Sequence, residues 1–109
     1  MPQFARADAE ALLPKVAPYL EHIARRKQAF DRRPTEPVAA EIRALVGTIN
    51  EMGVEVKDLD AGLIDFPSVR RGRVIYLCWK LGEGDRIQWW HEVNTGFPGR
   101  RPIRDLYEN

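Results

Sequence analysis

Hydrophobic positions recur every three or four residues in the first half of the chain and every two residues in the second. From Leu12 the apolar side chains run Leu12, Val16, Leu20, Ile23 and then Phe30, with Leu13 and Ala24 widening the stripe. Such spacing lines one face of an α-helix. Arg25, Arg26 and Lys27 fall near its end, where cations complement the helix dipole. Pro14 and Pro18 interrupt this pattern, since each lacks an amide donor and disfavours helical geometry in the residue before it. Two readings remain: Pro14 opens the helix, or one helix from about Ala7 bends there. After the polar link Asp31–Pro34, Thr35 is a suitable N-cap, with Glu36 and Pro37 in the first turn. Val38, Ile42, Leu45, Ile49 and Met52 form the stripe of a second helix, which ends at Gly53. So short a link favours antiparallel packing, although stripes this narrow would also serve as a dimer seam.

From Val54 the alternation is that of strands. Val54–Lys57 is a short strand, Asp60-Ala61-Gly62 a turn, and Leu63–Val69 a strand broken or edged by Pro67. Arg70–Arg73 is a hairpin turn, Val74–Leu81 a central strand, Gly82–Asp85 a second turn and Arg86–Val93 a returning strand. If Arg71-Gly72 is a two-residue hairpin loop, Arg70 faces Arg73, Phe66 faces Leu77, Asp65 faces Cys78 and Pro67 faces Tyr76. With Gly82–Asp85 as the next loop, Leu81 faces Arg86, Cys78 faces Trp89, Leu77 faces Trp90 and Tyr76 faces His91. This register divides the sheet into two faces. Ile64, Phe66, Ile75, Leu77, Trp79, Leu81 and Trp90 belong against the helices. Asp65, Tyr76, Cys78, Lys80, Trp89 and His91 share the other face, which mixes aromatic and titratable groups. The expected fold class is α+β. A helical hairpin over about 5–52 packs on a three- to four-stranded antiparallel sheet over about 54–93, and residues 94–109 form an irregular tail.

Composition narrows the function classes. A chain of 109 residues has room for a single domain, and 44% hydrophobic with 30% charged residues is ordinary for a globular protein. A net charge of +1 argues against a general nucleic-acid binder, which needs a cationic surplus. No apolar run approaches the length of a membrane span, and the N-terminus lacks the apolar stretch of a secretory signal, so a cytoplasmic protein is expected. Cys78 is the only cysteine, which rules out an internal disulfide and a cysteine-rich zinc site.

The outer sheet face supplies the candidate chemistry. Asp65, Tyr76 and His91 fit either a binding or proton-transfer site, or a solvated face with a cross-strand Tyr–His pair. Trp89 is suited to stacking on a ligand. Cys78, in an apolar strand, reads as packing rather than as a nucleophile. A metal site would draw on His91 and Asp65, but Glu92 points to the opposite face and His22 lies on the first helix. With two converging ligands and no metal-ligand spacing motif, no metal is expected. Asp58 and Asp60 are secondary candidates beside a turn, where aspartates commonly bond nearby amides. Of the basic groups, Arg70/Arg71/Arg73 sit on a hairpin tip. Arg100, within Arg100/Arg101/Arg104, follows the loop Gly96-Phe97-Pro98-Gly99, which is placed to return it to the sheet as a ligand contact.

The segments Lys57-Asp58-Leu59-Asp60-Ala61-Gly62-Leu63-Ile64-Asp65-Phe66-Pro67 and Tyr76-Leu77-Cys78-Trp79-Lys80-Leu81-Gly82-Glu83, with Trp90-His91-Glu92 and Gly96–Ile103, resemble the bacterial domain-of-unknown-function family twenty-two zero three. The opening Phe4…Ala11-Leu12-Leu13-Pro14 is similar too, except that Ala5 stands where a Thr or Ser helix cap is expected. The resemblance implies a small bacterial cytoplasmic protein and brings no assigned activity, cofactor or catalytic residue. The leading expectation is a module whose Asp65/Tyr76/Trp89/His91 face binds a small ligand or partner segment. The alternatives are an enzyme with His91 as acid or base, and an interaction protein working through the helical pair, as a homodimer or with another partner.

Overall fold

The computed structural model describes residues 3–106. Helix α1 spans Arg6–Arg32 and α2 spans Glu36–Glu51. The sheet is a five-stranded antiparallel meander: β1 Glu55–Asp58, β2 Leu63–Arg70, β3 Arg73–Lys80, β4 Trp89–Glu92 and β5 Arg101–Pro102. Short 3-10 turns flank the last strand at Phe97–Gly99 and Ile103–Leu106.

One unbroken α1 contains both Pro14 and Pro18, and both are exposed. Their rings face solvent while Leu13, Val16, Leu20 and Ile23 fill the core. Ala5 is the N-cap, and its amide donates to Asp8 Oδ2 at 3.2 Å. That is the half of a capping box that does not need a Thr or Ser hydroxyl. Thr35 occupies the N-cap of α2 but makes no side-chain capping bond. Gly53, at φ 88°, ends α2 in the left-handed conformation that glycine adopts without strain. The α2 stripe lies against the core, with Ile42 and Ile49 buried and Val38, Leu45 and Met52 packed beside them.

The hairpin register matches the pattern derived from the loop. Arg71 (φ 52°) and Gly72 (φ 76°) form the two-residue turn, and Arg70↔Arg73 through Leu63↔Lys80 pair without interruption. Tyr76↔His91, Leu77↔Trp90 and Cys78↔Trp89 also pair. Pro67 sits toward the end of β2 that β1 does not reach. Its carbonyl accepts the amide of Phe4 at 2.8 Å. In a strand a residue's amide and carbonyl point the same way, so the donor that proline lacks faces this edge and not β3.

Two expectations are corrected. The predicted Leu81–Arg86 pairing is absent, and β4 begins at Trp89 rather than Arg86. Side chains have captured the amides that would have extended it. The Lys80 amide donates to Glu83 Oε1 at 3.0 Å, and the Ile87 amide to Glu10 Oε2 on α1 at 2.8 Å. The tail is also partly regular, since β5 pairs Trp89↔Pro102 and Trp90↔Arg101, raising the strand count to five. Residues 107–109 of that tail lie outside the described residues.

Ile64, Phe66, Ile75, Leu77, Trp79 and Trp90 are buried in one cluster with the α1 stripe, as the inner face requires. Leu81 is only partly buried at its margin. Among the described residues, no helix is long and apolar enough to cross a membrane.

Candidate functional site

Alternation along β2, β3 and β4 sends Asp65, Tyr76, Cys78 and His91 to the face opposite the helices. That face is not simply solvated. Asp65, Cys78 and His91 are buried, at 2%, 0% and 2% exposure. His91 Nε2 lies 3.0 Å from Asp65 Oδ1 and 3.0 Å from Oδ2. Its Nδ1 is 2.7 Å from the Glu92 carbonyl oxygen. A carbonyl can only accept, so Nδ1 carries a hydrogen, and Nε2 is the nitrogen turned to the carboxylate. Burial disfavours a charged ring. The Asp65 hydrogen bond, the Glu92 carbonyl and the Asp65 charge outweigh it and hold His91 above its ordinary value.

Cys78 completes a cluster in which the ligand atoms of Asp65, Cys78 and His91 all lie within 4.8 Å of one another. Two converging ligand groups were expected from the sequence, and the structure provides three. Burial and the neighbouring Asp65 charge push the thiol up to about 12, with Arg100 opposing them. The cysteine is therefore a protonated thiol at neutral pH and not an activated nucleophile.

Beside the cluster opens a cavity of about 490 Å³, lined by Lys57, Asp65, Tyr76, Lys80, His91 and Phe97 among others. On one side the Tyr76 hydroxyl donates to Glu55 Oε2 at 3.0 Å, and Lys57 Nζ pairs with Glu55 Oε1 at 2.8 Å. The tyrosine ring stands 5.5 Å from the His91 ring and 5.1 Å from the Lys57 ammonium. On the other side Lys80 Nζ lies 5.5 Å from the Phe97 ring centroid, and Lys80 pairs with no carboxylate among the described residues. Val93 (54% exposed) and Phe97 (41%) are also in the lining.

Of the residues singled out from the sequence, Asp65, Tyr76, His91 and Asp58 line this cavity. Asp58 also accepts the amides of Asp60 and Ala61, the turn role expected of it. Asp60 is turned away to Lys27 on α1. Arg100 does return to the sheet, but it forks onto Glu83 at 2.7 Å to each oxygen and packs 4.9 Å from both Trp89 and Phe97. Arg100 and Trp89 thus hold the tail down and lie outside the cavity lining. The register derived from the sequence did not reach β1, and so did not place Glu55 and Lys57, which the Glu55↔Asp65 pairing brings to the same face. It also missed Phe97, which no periodic signal marks, and Val93, which alternation from His91 would have placed on the same face.

Residues 26–103 match a family model described as "Uncharacterized conserved protein (DUF2203)". No curated protein and no solved structure matches the chain. The likeness at Phe4–Pro14 falls outside the matched residues, but the strands and every residue of the site lie within them. The chain belongs to this family of uncharacterised conserved proteins.

Proposed function

We propose that the protein is a binding module for a small ligand that carries an anionic group and a flat apolar part. The observation that carries this reading is the cavity, of about 490 Å³, set against a buried Asp65–His91 pair on the sheet face away from the core. Pockets that hold small molecules combine apolar walls with a few fixed polar groups. Here Phe97 and Val93 are the apolar walls. They are two of the four large hydrophobic side chains exposed among the described residues, the others being Val69 and Val74 on the hairpin. Lys80 supplies an ammonium without a carboxylate partner among the described residues, and Lys57 a second, already bridged to Glu55.

Both ring nitrogens of His91 are engaged inside the protein, which favours an anchoring role over direct proton transfer to a ligand. The α2 stripe lies in the core, which favours the sheet face over the helical pair as the contact surface.

Ligand-observed NMR with benzoate as probe tests the reading. Benzoate should receive saturation from the protein and shift the resonances of Tyr76, His91 and Phe97. Lys80→Ala and Phe97→Ala should weaken both effects, and Val69→Ala on the hairpin tip should not. Binding that ignores Lys80→Ala and Phe97→Ala would defeat the proposal.

A further inference from the structure

The geometry points to a second property of the same cavity: Asp65, Cys78 and His91 form a site for one divalent transition-metal ion of the zinc, cobalt or iron(II) type. This inference rests on the same cavity as the proposed function but not on its organic ligand. Its first support is the orientation of His91. Nδ1–H is committed to the Glu92 carbonyl at 2.7 Å, so in the neutral ring it is Nε2 that carries the lone pair. Metal-binding histidines are commonly fixed this way, one nitrogen donating to a carbonyl and the other left to ligate. Nε2 faces both oxygens of Asp65 at 3.0 Å, and neither partner has a donor of its own in the neutral-ring, carboxylate form. Something positive must stand between them, either a proton or a cation.

Cys78 argues for the cation. Its thiol, turned to Asp65, completes a set of one nitrogen, one oxygen and one sulfur atom within 4.8 Å. Closing these atoms around an ion requires only side-chain adjustments of about 1 Å, given Zn–N and Zn–O near 2.0–2.2 Å and Zn–S near 2.3 Å. A sulfur ligand disfavours magnesium and calcium and favours the softer divalent ions.

Charge also balances. The ion takes the places of the Nε2 and Sγ protons, which leave to solvent. One double positive charge for two single ones leaves the net charge of the buried cluster unchanged. Asp65 and His91 both line the cavity, so any remaining coordination position opens toward it, the pattern of sites with three protein ligands.

Cobalt(II) titration of the full chain, freed of metal with a chelator, is the test. The wild type should take up one Co²⁺ per chain, develop a thiolate-to-cobalt charge-transfer band and the strong visible absorption of low coordination number, and lose both on addition of Zn²⁺. Mg²⁺ should produce no displacement. Cys78→Ser should lose the charge-transfer band and at least about tenfold in affinity, the lower end of what removing an outer partner alone does. Absence of the band from folded wild type at millimolar Co²⁺ overturns the inference, whatever the variants do. Persistence of the band in Cys78→Ser overturns it equally. Benzoate binding to the metal-free chain is read separately, so either proposal can fail alone.

Discussion

His91 and Asp65 meet across an intervening strand. They stand on β4 and β2, about 9–10 Å apart in the sheet, yet Nε2 comes within 3.0 Å of both carboxylate oxygens. The two side chains close over the β3 backbone at Leu77, between Tyr76, which pairs with His91, and Cys78, which pairs with Asp65. Leu77 itself points into the core. The pair therefore clamps three strands together on the face that lacks helices.

That clamp predicts a pH dependence. The folded, metal-free His91 holds its proton more tightly than the unfolded residue, whose value is about 6.5. Its stabilisation is complete below that value and is lost as pH rises through the higher folded value. Urea unfolding of the chelator-treated protein should show stability falling across this window, with a shallower slope in Asp65→Asn. A slope that Asp65→Asn leaves unchanged would assign the effect to another group.

His91→Ala should be the more damaging change. It leaves the Asp65 carboxylate buried without its partner, and breaking a buried pair in this way costs about 3–5 kcal/mol. Denaturant midpoints of His91→Ala and Asp65→Asn, measured side by side, check the order. The reverse order would mean that the carboxylate is well solvated.

Cys78 should resist alkylation. With its thiol pushed up to about 12 and its side chain fully buried, iodoacetamide at neutral pH should label the folded, metal-free chain far more slowly than the urea-unfolded chain. Mass spectrometry reads both rates. Equal rates would place the thiol in contact with solvent.

The fork between Arg100 and Glu83 should govern the tail. Its side chains are 11% and 14% exposed, and Glu83 also accepts the Lys80 amide. Glu83→Ala should cost about 1–3 kcal/mol, between the ranges for exposed and buried pairs. It should also speed hydrogen exchange at the Ile103 amide, which donates to the Gln88 carbonyl at 2.9 Å. Unchanged exchange at Ile103 would show that β5 stands without the fork.

Pro18→Ala should stabilise the protein. Proline inside a helix is about 3 kcal/mol worse than alanine, offset in part by the freedom it removes from the unfolded chain. Pro18 is exposed in an unbroken helix, so alanine adds a backbone donor without disturbing the core. A gain of about 1–2 kcal/mol is expected by thermal or denaturant unfolding. A loss would mean that α1 depends on the proline ring.

Local chemistry accounts for the parts of the fold legible in the sequence. Arg71-Gly72 occupies a turn that needs positive φ at both positions, and once that loop is placed the β2–β3 register follows for eight residue pairs. The separation of Phe66 and Leu77 from Asp65 and Cys78 follows from strand alternation alone. The start of β4 was not legible, because Glu10 lies 77 residues from the Ile87 amide it captures.

The sequence by itself determined two amphipathic helices, the hairpin register and the membership of each sheet face, since all of these depend on neighbours close along the chain. Tertiary structure alone decided that Asp65 and His91 touch, that Cys78 joins them, and that Phe97 and Lys80 border a cavity beside them. A register names only the residue directly opposite on the next strand. Contacts across two strands depend on side-chain rotamers and on the loop from Gly96 to Arg100. That loop is held by the Glu83 carboxylate and two aromatic rings, groups brought together only by the folded chain.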